Sequence, residues 1–402
     1  MKRLSVLMAV AFIDMIGLMM VLPLMPLYAK SLNATPTMVG LLASSFSIAQ
    51  LASSPIWGRV SDRRGRRPVL LVGLTASAIA YVVFGFASAL WLLFVSRFVQ
   101  GLGGGTTGVA QAYVADTMAP QERAKALGWL SAATSAGVII GPAIGSLAAG
   151  FGQAGPGLLA ASLCIVNVVF AWRWLPESRF QGQTKTPSGH FVPQPEPRPV
   201  RDAFWEVIRH PGRPVARMIW IYAVAMLAYN ATPPIFALYL SWRFGITARN
   251  IGYFFLVFGV VGVVMRAVVV GWVNDKLGEI RTMRVGAVLY GLGYALITLA
   301  ATVPQFLMVQ VLLPLGTALL FPANSALVSH HASKHEFGLM LGVQQALRGV
   351  ASVIAPTLAG FAYQHLGPSV PFIGCSVIIG FALLLAVRVP QPSLDPAAAT
   401  AV

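Results

Sequence analysis

The chain has 402 residues, of which 57% are hydrophobic and only 10% charged; an ordinary soluble protein carries about 25% charge, so a soluble globular enzyme and a disordered chain are both excluded. The formal net charge of +16 would suit a nucleic-acid binder, but the basic residues are confined to a few loops. Those loops separate apolar runs that reach the ~20 residues needed to span a bilayer.

In chain order, apolar runs between breakers predict twelve helices, at 5–28, 39–58, 68–88, 91–114, 125–150, 156–175, 214–240, 250–273, 282–300, 304–328, 337–362 and 369–388. The first follows Met1-Lys2-Arg3 but runs on to Tyr28 through Pro23 and Pro26 without a small-residue cleavage site, so it reads as a retained span. With the N-terminus placed in the cytoplasm, 22 of the 28 Lys and Arg fall on the inner side. Only Lys30, Arg243 and Arg249 fall outside, while Arg97, Arg266 and Arg348 lie within spans. The positive-inside rule therefore places both termini in the cytoplasm.

The Pro-rich polar stretch 176–213 separates the sixth and seventh spans. It divides the chain into an N-terminal six-helix half (1–175), a cytoplasmic linker (176–213), a C-terminal six-helix half (214–390) and a cytoplasmic tail (391–402). In the linker, Phe204, Trp205, Val207 and Ile208 interleave with Arg201, Asp202, Glu206 and Arg209, the pattern of a short amphipathic helix at the inner headgroups. An internal repeat supports the division. Gly58-x-x-x-Asp62-x-x-Gly65 recurs as Gly271-x-x-x-Asp275-x-x-Gly278 at an offset of 213, which also pairs Gly103 with Gly316 and Gln111 with Asn324. Duplicated six-span halves with a site between them are a transporter plan.

The second-to-third loop, Gly58-Arg59-Val60-Ser61-Asp62-Arg63-Arg64-Gly65-Arg66-Arg67-Pro68, resembles the signature loop of the major facilitator superfamily at every defined position. Gly58 permits close helix approach, Gly65 a tight turn, and Asp62 can accept hydrogen bonds from a neighbouring helix N-terminus while Arg63 and Arg66 pair with carboxylates. The alternative for Arg64 and Arg67 is a plain inner-side anchor. The resemblance implies a conformational switch formed by Asp62, Arg66 and an acid at the inner end of the fourth span, here Asp116, with Asp275 in the second copy. Gly137, Gly141, Pro142 and Gly145 are similar to the superfamily's antiporter motif, with Ser146 where the motif ends in glycine. Small residues at this spacing also serve ordinary helix packing. Arg97-Phe98-Val99-Gln100-Gly101-Leu102-Gly103 and Asp14-x-x-Gly17 followed by Pro23 and Pro26 extend the resemblance to the tetracycline-resistance group of drug:proton antiporters. That group's further acids in the third and ninth spans are missing here.

Asp14 is the only carboxylate within a span. It lies about ten residues in, roughly 15 Å at 1.5 Å per residue, near the middle of a ~30 Å core. A charge there costs at least ~2.5–3.5 kcal/mol, so it must be protonated, paired or hydrated. Asp14 is the expected proton carrier, and the resemblance links Arg97 to the same coupling. Arg266 and Arg348 either bind an anionic substrate group or cap backbone carbonyls at helix breaks. Gln50, Gln111, Tyr222, Tyr229, Asn230, Asn324, Gln344 and Arg348 are expected at the substrate cavity, with core packing or helix-to-helix hydrogen bonding as the alternative for each. With Asp14 ionised, three arginines leave the interior at +2, which favours neutral, zwitterionic or anionic amphipaths over cations.

His330, His331 and His335 have no adjacent Cys, so no metal site is expected. No nucleotide-binding loop is present, and no buried nucleophile has a basic partner, so neither an ATP-driven pump nor an enzyme is expected. The expectation is an all-α membrane protein of the major facilitator fold, with twelve transmembrane helices in two pseudo-symmetric six-helix halves, in the cytoplasmic (inner) membrane. Its expected function is proton-coupled antiport, exporting small amphipathic molecules or drugs. Import or export of a dedicated metabolite on the same fold is the alternative. Expected partners are protons, an amphipathic small molecule and the lipid bilayer, without nucleic acid. The chain is expected to act as a monomer without cofactors, with the proton gradient as energy source.

Overall fold

The computed structural model describes residues 2–178, 200–332 and 336–389. Most of the linker, with Arg179, Lys185 and Arg198, the tail 391–402, and Lys334 and His335 lie outside the described residues. The described residues form helices and no strand. They are α1 (Lys2–Val21), α2 (Met25–Ser31), α3 (Pro36–Arg64), α4 (Arg66–Gly85), α5 (Leu90–Gly104), α6 (Thr107–Thr117), α7 (Pro120–Ala148), α8 (Ala154–Trp174), α9 (Val200–Arg209), α10 (Pro214–Phe244), α11 (Ala248–Val264), α12 (Val270–Leu277), α13 (Glu279–Ile297), α14 (Val303–Gln310), α15 (Leu312–His331), α16 (Phe337–His365) and α17 (Val370–Val387). A π-helical turn, Met265–Val269, joins α11 to α12 and carries Arg266.

Ten helical stretches are long and apolar enough to cross a membrane. The other two expected spans are helical but differ. The fourth breaks at Gly105–Thr106 between α5 and α6, where four glycines in five residues (101–105) weaken the helix. There Trp57 Nε1 donates to the Leu102 carbonyl (2.7 Å) and Gln50 Nε2 to that of Gly104 (3.1 Å). The ninth, α13, begins with Glu279, Arg281 and Arg284.

Two compact units divide the chain: Met1–Val192 with Asn230–Val260 and Ser352–Pro371, and Pro193–Tyr229 with Val261–Ala351 and Phe372–Val402. In the first, α1 packs on α7 and α8, α4 on α5 and α8, and α3 on α5. The contact of α1 with α7 is backbone to backbone. A Cβ at Gly137 would come within 2.7 Å of Phe12 O, at Gly141 within 2.7 Å of Met19 Cβ, and at Gly145 within 2.3 Å of Met20 O. Small residues every fourth position thus let the two main chains touch. At the ends of α3 and α7 remote from Asp62, residues of the second repeat join this unit. Ser44 Oγ donates to Val353 O (2.6 Å), and a Cβ at Gly40 would come within 2.2 Å of Pro356 O. Ser146 Oγ accepts from Gly252 N (2.7 Å) and donates to Ala248 O (2.9 Å), bridging the pair that a regular first turn of α11 would join directly.

In the second unit α13 packs on α15. Ala203 and Val207 of α9 are buried against Ala216, Ile219, Val343 and Leu347. The linker helix therefore exists where expected, but its apolar face covers α10 and α16 and is not free for headgroups; Trp205 stays half exposed at 49%. The repeat is visible in the backbone: Gly65 (φ +105°) and Gly278 (φ +73°), 213 residues apart, both hold the left-handed break between paired helices.

Replacing Gly145 with alanine is expected to destabilise the protein by about 1–3 kcal/mol, because the new methyl meets a backbone carbonyl. Gly150→Ala, where nothing lies within 4 Å, is the matched control. Thermal unfolding in detergent reads both: a lower melting temperature only for Gly145→Ala is expected.

Candidate functional site

The loop between α3 and α4 forms one charged junction. Arg66, with 14% of its side chain exposed, pairs through Nη1 with Asp62 (2.5 Å) and through Nε with Asp116 at the end of α6 (2.9 Å). The same Nη1 donates to Ser61 Oγ (2.6 Å), and Ser178 Oγ donates to Asp116 (3.4 Å). The three residues singled out by the motif are thus brought together. Asp62, however, does not cap the neighbouring helix. Glu177 does: its carboxylate accepts from Arg66 N (2.8 Å) and Arg67 N (3.1 Å) at the start of α4, the favoured place for a negative charge. A Cβ at Gly65 would come 2.4 Å from that carboxylate and displace it, and the backbone there, at φ +105°, favours glycine. Arg67 Nη2 also donates to Trp172 O, which makes Arg67 more than a surface anchor. At Gly58 a Cβ would meet nothing within 4 Å among the described residues; close helix approach is not its role here. Among the described residues Asp275 makes no ion pair; in that copy Glu279 meets His330 at 3.2 Å.

Glu177 was missed because the turn after α8 carries no motif. Its signal was the sequence Pro176-Glu177-Ser178 ending a span, one of only 12 acids in the chain.

Within the first unit a cavity of roughly 250 Å³ is lined by apolar residues of α1, α4 and α7 and by Asp14, Thr106, Thr107, Gln111, Ser131 and Thr134. Asp14 is the one charged group in this lining. Arg97 does not line it. Arg97 is 2% exposed and lies over the Phe84 ring (5.7 Å to the centroid), and its Nε and Nη2 have no partner among the described residues. In the second unit Tyr222 and Tyr229 meet Phe321 edge-on at 5.4 and 6.0 Å, and Tyr222 lies within electrostatic range of Arg348. Arg348 is exposed, and an exposed arginine twelve residues into a membrane-long helix needs water or a polar partner. Asn324 and Gln344 serve the helix-bonding alternative: both are buried, Asn324 donates to Met218 O (3.0 Å), and Gln344 donates to Asn324 (3.2 Å). Gln50 is held by Gly104 as described above. Asn230 follows Tyr229 on α10, half-buried. No group of three His, Cys, Asp or Glu among the described residues is arranged to hold a metal ion.

The family model described as Major Facilitator Superfamily matches residues 7–269 and 218–401. The chain belongs to the major facilitator superfamily. The chain is similar to the class B tetracycline resistance protein of Escherichia coli, 28% identical over 364 residues (89% of this chain, 88% of the relative). Multidrug resistance protein 2 of Bacillus subtilis is 28% identical over 383 residues (93% and 92%). Among solved structures, the nucleoside transporter NupG superposes with a TM-score of 0.77 at 14% identity (96% and 100% of the two chains), and a human organic anion transporter with 0.68 at 20% (96% and 99%). The fold is therefore that of the major facilitators, and the chain is a membrane-spanning transporter.

Glu177→Ala is expected to cost about 1 kcal/mol, because two helix N–H groups lose their acceptor. Urea or thermal unfolding checks this, and Glu177→Gln, which keeps an acceptor oxygen, is expected to lose less.

Proposed function

We propose that this major facilitator is a proton-coupled antiporter that exports small amphipathic molecules by alternating access. Asp14 carries the reading: a single carboxylate, in mid-span, lining a cavity otherwise built of apolar and neutral polar groups. Such a group exchanges a proton whenever water or substrate reaches it, and its affinity for that proton depends on both. Helix α1, which bears it, rests on the glycine face of α7, so a movement of α7 is transmitted to the carboxylate. The Asp62–Arg66–Asp116 junction is the element that breaks and reforms as the halves rock.

The reading includes twelve spans, cytoplasmic termini and residence in the inner membrane, supported by the 22-to-3 distribution of basic residues. It takes the proton gradient as energy source, with no cofactor, and a monomer as the working unit; the protein is a carrier and not a catalyst. Export of drug-like amphipaths is favoured by relatives named for tetracycline and multidrug resistance. The exposed Arg348 beside Tyr222 favours substrates with a neutral, zwitterionic or anionic polar end.

Asp14→Asn is expected to insert normally and to lose uphill export entirely. Exchange of labelled for unlabelled substrate across vesicles without a pH gradient is expected to persist. Uphill export at the wild-type rate by the mutant would overturn the reading.

A further inference from the structure

Asp14 and Arg97 do not meet, yet one side chain stands between them. Tyr81, on α4, is 1% exposed and lies within electrostatic range of both, and of Cys164. The phenol end of its ring rests against α1: a Cβ at Gly17 would come 3.2 Å from Tyr81 Cε2 and 3.6 Å from Cζ. Gly17 is three residues beyond Asp14, on the same face of the helix. On its other side, Gln100 Nε2 donates to Tyr81 Oη at 2.6 Å. The phenol oxygen is thus already an acceptor, and its own O–H has no acceptor among the described residues. Behind Gln100 stands Arg97, one turn earlier on α5. Gln100 Oε1 and Arg97 Nη2 are both buried without a partner among the described residues, an acceptor and a donor at helical spacing.

The second repeat shows the completed form of this arrangement. At the offset of 213, Tyr81 corresponds to Tyr294, whose O–H donates to the Ala228 carbonyl of α10 at 3.0 Å; Cys375 Sγ donates to the same carbonyl at 3.8 Å. In the first repeat a cysteine again accompanies the tyrosine, with Cys164 Sγ 3.5 Å from the Gly17 Cβ position. Three residues before Gly17 on α1 stands the Asp14 carboxylate.

We propose that Tyr81 is the positioning residue that holds Asp14 in its charged form: its O–H donates to the carboxylate once the proton has left, with Gln100 orienting the phenol. Protonation of Asp14 removes the charge that makes this bond strong, and the phenol is released. The titratable groups within electrostatic range of Asp14 are Tyr81 on α4 and Cys164 on α8, while α6 and α7 present the neutral Thr107, Gln111, Ser131 and Thr134. Tyr81 is therefore the donor best placed to set the pH at which the proton is released. The inference rests on the antiport reading, but its test does not.

The experiment is infrared difference spectroscopy of the purified protein in liposomes, following the protonated carboxylic acid band that Asp14→Asn removes. A hydrogen bond to a charged acceptor contributes about 1.5–3 kcal/mol, so Tyr81→Phe is expected to move the titration midpoint of that band up by about one to two pH units. Gln100→Met should move it the same way by less. An unmoved midpoint in folded Tyr81→Phe overturns the proposal; if that variant does not fold, an unmoved midpoint in Gln100→Met does so. A shifted midpoint with full uphill export by Asp14→Asn would keep the hydrogen bond and discard the coupling. An unmoved midpoint with export abolished in Asp14→Asn would discard Tyr81 alone.

Discussion

The contact of α1 with α7 is the constraint on which the rest depends. Three glycines one helical turn apart leave no Cβ between the two main chains, and that close fit fixes the depth and rotation of the helix carrying Asp14. A carboxylate in mid-membrane is costly and stays only where its surroundings compensate it. Here Asp14 lines a small cavity with hydroxyl and amide groups, and the buried Tyr81–Gln100 pair is the donor proposed for its charged form. Pro142, about 100° round α7 from Gly141, has its carbonyl 2.0 Å from where a Cβ on Gly252 would sit. Adjacent faces of α7 thus set the acid's position and the crossing with α11, where the Ser146 hydroxyl enters the first turn.

The charged junction at the other end of the unit obeys a different balance. Arg66 is held by two carboxylates while Glu177 takes the helix N–H groups. Half-buried pairs of this kind gain Coulomb energy but lose hydration, so their net contribution is small and their geometry is specific. Such a junction orders one arrangement without making it irreversible, which suits the opening and closing proposed for it.

Much of this was legible in the chain because it depends on local spacing. The Gly65 and Gly278 breaks, the Asp62–Arg66–Asp116 cluster and the solitary Asp14 each follow from a motif or from a charge where lipid forbids one. What escaped depends on which side chains meet across helices. Glu177 falls at the start of the linker, and Gln344 donates to Asn324, a contact between helices that the spacing of neither residue announces. Gln50 is spent on a carbonyl freed by the glycine run, and that run broke a span that hydropathy read as continuous. The amphipathic pattern coincides with α9, but a helical period does not distinguish lipid from α10 as the surface its apolar face covers. The resemblance links Arg97 to the coupling of Asp14, and no motif announces the Tyr81–Gln100 pair beside it.

The central claim is that proton movement and substrate movement are one event. Everted membrane vesicles energised to an acid interior test it most directly, with the pH gradient recorded while neutral, zwitterionic, anionic and cationic amphipaths are added in turn. Compound-triggered proton efflux that depends on Asp14 is the predicted result, strongest for amphipaths without a net positive charge. Substrate uptake into those vesicles with no accompanying proton movement would contradict the account.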